Sequence, residues 1–262
     1  NFKDQLRFKL AASSIKTLSK KGNKVIILSH LGRPNGIDKS LSLKRFAPAL
    51  GAMSGRKVKF IPHFNFQKIK AEVDRAPGRS VFLLENLRFL PGERENSKTL
   101  AKQLASLGDH YINNDFADSH RADDSIFAIT KFLPSKAGPI LKKEIHALAK
   151  ARTNPRHPFV LIIGGGEKLA DKIALMRYLL PRVDHILLGS NVFNLIIDQA
   201  TGRLLKNKKV VMPADWQADK GKILDIGPET VKLYSEIISQ ARTLIWNGPM
   251  GYFEDKRFAT GT

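Results

Sequence analysis

His30, Gly32 and Arg33 close the segment Val25-Ile-Ile-Leu-Ser-His-Leu-Gly-Arg-Pro34, where an apolar run that reads as a buried strand ends in residues suited to an anion. In α/β proteins ligands gather beyond the carboxyl ends of parallel strands. The layout recurs at Val81-Phe-Leu-Leu-Glu-Asn-Leu-Arg-Phe89, which delivers Arg88, and at Tyr111-Ile-Asn-Asn-Asp-Phe116, with His120 and Arg121 just beyond. A lone exposed arginine is by default a surface ion pair. Three strand ends that each supply one outweigh that default, because planar guanidinium forks bind carboxylate and phosphate in bidentate fashion. The spacing predicts a small, multiply anionic ligand.

A second group of residues suits phosphate. Gly164-Gly165-Gly166 follows the apolar run 159–163 and precedes Glu167-Lys168-Leu169-Ala170-Asp171-Lys172. Glycines after a strand let backbone approach a ligand, and the next helix start offers unpaired N–H groups. Lys168 and Lys172, four apart, share a helix face. The Gly-x₄-Gly-Lys-Ser/Thr spacing of a Walker A loop is absent. Trp246-Asn-Gly-Pro-Met-Gly-Tyr-Phe-Glu254 is another turn at a strand end, either a plain Pro/Gly loop or a wall for a purine with Glu254 accepting from ribose hydroxyls.

Other chemistries find less support. There is no cysteine, so disulfides and thiolate metal sites are excluded. No Gly-x-Ser-x-Gly occurs. Asp118, His120, Asp123 and Asp124 crowd one stretch, but without a second cluster no metal site is assigned. The 44 Lys+Arg against 24 Asp+Glu give a net charge of +20, a field that attracts phosphates generally. The basic residues are scattered, with no zinc-finger, RNP-like or basic heptad pattern, so no nucleic-acid partner is expected. No apolar run approaches the roughly 20 residues of a membrane helix, and the first residues lack a secretory layout. A soluble, cytoplasmic monomer without membrane contact is expected.

These residues need a scaffold, and the apolar pattern predicts one. Helix-period segments at 6–20, 42–54, 66–75 and 97–107 alternate with short apolar runs at 24–29, 58–61, 81–84 and 110–113. A second series follows: strands at 159–163, 185–188, 209–212 and 243–246, with helices at 168–180, 191–199 and 229–240. A helix over 139–152 joins the two. Such βα succession predicts an α/β fold of two doubly wound parallel-sheet domains. The interval 212–228 reads as shortened, and the strand and loop before Thr262 predict a further helix beyond it.

Ser29-His-Leu-Gly-Arg-Pro34, Leu84-Glu-Asn-Leu-Arg-Phe89, His120-Arg-Ala122, Phe132-Leu-Pro-Ser135, Lys143-Glu144, the glycine turn with its Lys-x₃-Lys, Asp225-Ile-Gly-Pro228 and Trp246-Asn-Gly-Pro-Met-Gly251 occur in that order. In this order they resemble the phosphoglycerate kinase family. The resemblance implies a 3-phosphoglycerate domain over 1–138, a hinge helix and linker over 139–158, and a nucleotide domain over 159–262, with a cleft between the domains. It implies that His30, Arg33, Arg88 and Arg121 hold the glycerate phosphate and carboxylate. By the same resemblance Arg7 and Lys168 neutralise the transferring phosphoryl, and Lys172 meets the nucleotide phosphates. Gly189, Asn247, Gly251 and Glu254 border the nucleotide, ATP or ADP with Mg2+; the partners are 3-phosphoglycerate and 1,3-bisphosphoglycerate. The chain departs from the family pattern at Asn113-Asn114-Asp115-Phe116, Asp123, Glu167 and Gly189-Ser190-Asn191. A non-catalytic descendant that binds anions or nucleotides in the same cleft is the alternative.

Overall fold

The computed structural model describes residues 5–20, 22–165, 169–190, 192 and 202–262. The chain forms two compact units, Asn1–His146 and Ala147–Thr262.

In the first unit, β1 (Val25–Ile27), β2 (Val58–Ile61) and β3 (Val81–Leu84) form a parallel sheet in the order β1-β3-β2. Val81 stands opposite Val25 on one side and Val58 on the other. All four β3 residues are buried, as expected of a central parallel strand covered on both faces. Its side chains alternate. Val81 and Leu83 pack with Ile15, Leu43 and Leu50 beneath α1 (Gln5–Ser19) and α2 (Ala47–Ser54). Phe82 and Leu84 pack with Ile61, Ile69 and Val73, where α3 (Phe66–Arg75) covers the opposite face. The Asn65 side chain caps α3 by accepting from Lys68 N at 3.0 Å, filling one orphan donor of the first turn. After α4 (Lys98–Ala105), β4 (Tyr111–Asn113) runs parallel to β5 (Ser135–Ala137) in a separate pair. The helix α5 (Pro139–Thr153) follows, and the boundary between the units falls within it.

In the second unit, β6 (Phe159–Ile163) and β7 (His185–Leu188) lie at the middle of a parallel sheet. Its order is β11-β6-β7-β8, with β8 at Val210–Val211 and β11 at Thr243–Asn247. The chain proceeds from β6 outward to β8, then returns to place β11 on the other side of β6. That reversal is a topological switch point, where ligands of such sheets bind. α6 (Leu169–Leu179) supplies Met176 and Leu179 to one face, and α8 (Pro228–Gln240) supplies Tyr234 to the other. The Tyr234 hydroxyl lies 3.0–3.3 Å from Leu188 N, Leu188 O and Val211 O, pinning α8 to two strand ends. Asp215 caps α8, accepting from Thr230 N at 2.7 Å and Glu229 N at 3.1 Å.

Several elements differ from the sequence expectation. The first strand stops at Ile27, because the chain turns aside and Ser29 O accepts from Leu87 N at 3.2 Å. The predicted helix 42–54 begins as 3₁₀ turns, with α2 proper starting at Ala47. Glu85 explains this: its carboxylate accepts from Ser42 Oγ at 2.7 Å and Leu43 N at 2.8 Å, holding the chain before a helix can form. The interval that reads as shortened contains an antiparallel hairpin, β9 (Trp216–Asp219) and β10 (Lys222–Ile226). Lys220 and Gly221, at φ 48 and 75, make its two-residue turn. β5 and the short α7 (Gly202–Leu205) are additional. The helix predicted at 191–199 lies outside the described residues, apart from Val192.

Candidate active site

In the first unit the site begins with Asn86, buried at the tip of β3. Its amide donates to Leu31 O at 2.8 Å and Leu41 O at 3.0 Å, and its oxygen accepts from Leu31 N at 3.2 Å and Arg88 N at 3.1 Å. One side chain thereby fixes both the 28–34 loop and the backbone that carries Arg88. Gly32 is at φ +68, and a Cβ there would stand 2.9 Å from Leu41 Cδ1. Only glycine takes this turn without strain. The Gly32 carbonyl then accepts from Arg88 Nη1 at 2.6 Å.

Arg88 is nearly buried, with a side-chain exposure of 6%, and its closest carboxylate is Asp123 at 3.9 Å. At that distance the pair is coulombic. Nε and Nη2 of Arg88 have no hydrogen-bond partner among the described residues. Burial and the neighbouring Arg121 cation both pull its pKa down. A buried guanidinium with two idle nitrogens is costly unless an anion joins it.

His30 and Arg121 meet at Asp118. His30 Nε2 lies 3.1 Å from Asp118 Oδ2, and Arg121 Nε donates to Asp118 Oδ1. Burial, then Arg88, lower the His30 pKa against the opposing pull of Asp118, Asp115 and Asp123. Arg33 is exposed and makes no hydrogen bond or ion pair with a described residue. Arg7 lies on an exposed turn of α1. The structure thus brings His30, Arg88 and Arg121 together and leaves Arg33 on the outer turn. Asp123 and Asp124 are also buried, beside Glu93, whose carboxylate accepts from Ser125 Oγ and N. Burial pushes the Glu93 carboxyl up to about 7.

In the second unit three turns interlock at the ends of β6, β7 and β11. Gly164 N donates to Asn247 O at 2.8 Å and Gly165 N to Pro249 O at 2.6 Å, while Ser190 N donates to Met250 O at 3.0 Å. The glycines are required by closeness. A Cβ at Gly164 would lie 2.0 Å from Pro249 O, and one at Gly251 2.3 Å from Asp225 Oδ1. Gly189 packs against Gly164 Cα, where a Cβ would come within 3.0 Å. Lys172, buried on α6, donates to Gly164 O at 2.7 Å and Asn247 Oδ1 at 3.1 Å. Burial lowers its pKa. An ammonium has three hydrogens, so two acceptors leave one for a ligand oxygen. Glu254 is exposed and has no hydrogen bond or ion pair with a described residue. Lys168 lies outside the described residues.

Sequence reasoning assigned no role to Asn86, Asp118 or Asp225. Asp225 is fully buried, accepts from Ile226 N at 2.8 Å and Gly261 N at 2.9 Å, and packs against Gly251 of the 247–251 turn. The signal for Asn86 was available, since a polar residue set between the apolar run 81–84 and Leu87 must find partners when buried.

A family model described as Phosphoglycerate kinase matches residues 1–206 and 194–262. The phosphoglycerate kinase of Pseudothermotoga lettingae is 39% identical over 301 residues, covering 99% of this chain and 76% of the relative. That of Coprothermobacter proteolyticus is 35% identical over 304 residues, covering 100% and 76%. A protein named "Phosphoglycerate kinase, cytosolic" from Triticum aestivum is 36% identical over 300 residues, covering 99% and 75%. The crystal structure of phosphoglycerate kinase from Pyrococcus horikoshii OT3 matches with a TM-score of 0.83 at 27% identity, covering 98% of this chain and 76% of that chain.

Proposed function

Because this chain belongs to the phosphoglycerate kinase family, we propose that it moves a phosphoryl group reversibly between 1,3-bisphosphoglycerate and ADP, giving 3-phosphoglycerate and ATP. The observation that carries this reading is the buried Arg88, with two nitrogens unsatisfied among the described residues beside His30 and Arg121. Arg33, Arg88, His30 and Arg121 are the proposed seat of the glycerate phosphate and carboxylate.

The interlocked glycine turns are the proposed nucleotide seat. Lys172 directs its remaining hydrogen to a phosphate oxygen, and Gly189, Asn247, Gly251 and Glu254 border the nucleoside. Among the described residues no cluster of three or more His, Asp or Glu is built to hold a metal. Mg2+ would be held by the nucleotide phosphates together with one or two carboxylates, its usual mode of binding. It would supply charge neutralisation there.

In the ATP-forming direction a terminal oxygen of ADP attacks the phosphorus of the acyl phosphate, and the bond from phosphorus to the carboxyl oxygen breaks. The glycerate carboxylate leaves with the electron pair. Such transfer asks the protein for positioning and positive charge more than for covalent chemistry. Arg7 and Lys168 are the proposed cations at the moving group. A cytosolic monomer is the proposed state; the wheat relative's name supports the location, and among the described residues no helix is long and apolar enough to cross a membrane.

A coupled assay on the purified chain tests the reading. ATP formation that depends on both ADP and 1,3-bisphosphoglycerate supports it. A folded protein that yields none, across a range of Mg2+ concentrations, overturns it.

A further inference from the structure

The anion seat of the first unit already contains an anion. Asp118 places one carboxylate oxygen 3.1 Å from His30 Nε2 and the other on Arg121 Nε, with its side chain 15% exposed. The loop that presents it is tied to itself. Asp115 N donates to Asn113 Oδ1 at 2.9 Å, Asn113 Nδ2 to Ser119 Oγ at 3.1 Å, and Arg121 N to Asp118 O at 2.9 Å. The carboxylate is thus presented by a turn closed by its own hydrogen bonds. Its two oxygens take the same donors that a ligand carboxylate or phosphate would use.

We propose that Asp118 is a specificity-determining residue, an internal carboxylate that occupies His30 and Arg121 until the substrate's own anionic group displaces it. The proposal rests on the 3-phosphoglycerate reading of this seat. Charge bookkeeping favours it over a simple ion pair. Arg88 and Arg121 are close enough to repel each other, and Asp118 attracts both. Without a ligand the carboxylate holds the cations together; with one it becomes a competitor. A ligand that reaches only Arg33 and Arg88 leaves Asp118 in place, whereas one whose oxygens take His30 Nε2 and Arg121 Nε must displace it.

Calorimetry with 3-phosphoglycerate on the full chain, comparing wild type with Asp118→Asn and Asp118→Glu, tests this. Asn keeps the shape and removes the charge, so Asp118→Asn should bind roughly tenfold tighter or better, the size expected for freeing a charge-assisted contact. Asp118→Glu retains the competitor and should stay nearer wild type. Carboxylate carbon shifts in the wild-type protein give a reading that needs no substitution: the Asp118 signal should move on titration with 3-phosphoglycerate and stay put with ADP. Unchanged or weaker binding by Asp118→Asn, or an Asp118 signal indifferent to 3-phosphoglycerate, overturns the proposal and leaves the kinase reading standing. Failure of every folded variant to bind 3-phosphoglycerate overturns both.

Discussion

Asn86 and Leu31 are joined in both directions, the Asn86 amide donating to Leu31 O at 2.8 Å and its oxygen accepting from Leu31 N at 3.2 Å. A side chain here takes the place of a neighbouring strand for a segment that has left the sheet. Asn86→Leu removes the whole set and strands the half-buried backbone groups of Leu31 and Leu41. Each net hydrogen bond is worth about 1 kcal/mol and an orphaned buried group costs more, so a loss of about 2–4 kcal/mol is expected. In a chain of this size that lowers the melting temperature by on the order of 5–15 °C. A variant that melts with wild type would show that Asn86 is dispensable to the loop.

Arg88 and Arg33 should respond differently to substitution. Arg88 is buried, bonded to Gly32 O and charged, while Arg33 is exposed. Arg88→Ala should weaken 3-phosphoglycerate binding by about 2–5 kcal/mol, as for removing one partner of a buried charge pair, and lysine cannot restore the planar fork. Arg33→Ala should cost less, roughly 1–2 kcal/mol, as for a charge-assisted hydrogen bond in the open. Titration calorimetry ranks the two. The reverse order would move the anion seat outward to the loop tip.

How much of this was legible follows from what each segment must bury. Runs such as Val58–Ile61, Val81–Leu84, Phe159–Ile163 and His185–Leu188 are strands with the predicted bounds, because an apolar run of four or five residues between turns is too short for a helix and suits a buried strand. Segment 42–54 was over-read as helix because its start is set by Glu85, a partner about forty positions away that periodicity cannot see. The β9–β10 hairpin was hidden for another reason. Lys220-Gly221 is a fair turn signal, but set against the βα succession the interval 212–228 reads as shortened, and so no element was expected in it. The arginines could be found from their place at strand ends. Asp118 could not be paired with His30, since nothing local links positions so far apart.

Gly248 separates backbone freedom from space. It sits at φ +82, and a Cβ would stand 2.4 Å from Gly164 O. Gly22, at φ +85, has open space around it. Gly22→Ala should therefore cost about 1 kcal/mol from conformation alone. Gly248→Ala adds overpacking between two turns and should cost about 2–4 kcal/mol. It should also raise the KM for ADP while leaving 3-phosphoglycerate affinity unchanged, because the disturbed turns hold Lys172 and lie in the other unit. Chemical denaturation and steady-state kinetics on both variants check this. Equal stability losses would mean that the turns yield more readily than their contacts imply.

Glu93 should make stability fall as pH rises. It is 2% exposed, with Ser125 donating to it and Asp123 and Asp124 alongside. Burial raises its pKa from 4.5 to about 7, so between those values the folded chain holds a proton that the unfolded chain releases. The sign follows from linkage. The contribution is complete below pH 4.5 and is lost as pH rises through about 7. At about 1.4 kcal/mol per unit the full loss is roughly 3 kcal/mol. His30 works in the opposite direction: its lowered pKa gives a contribution present above 6.5 and lost as pH falls through its folded value. The difference between wild type and Glu93→Gln isolates the carboxyl, since Gln is neutral at every pH and His30 is common to both. Urea denaturation from pH 5 to 8 should show wild type losing stability relative to Glu93→Gln as pH rises from 5 to about 7, with the difference levelling off above that. Parallel curves would mean that Glu93 keeps an ordinary carboxylate pKa despite its burial.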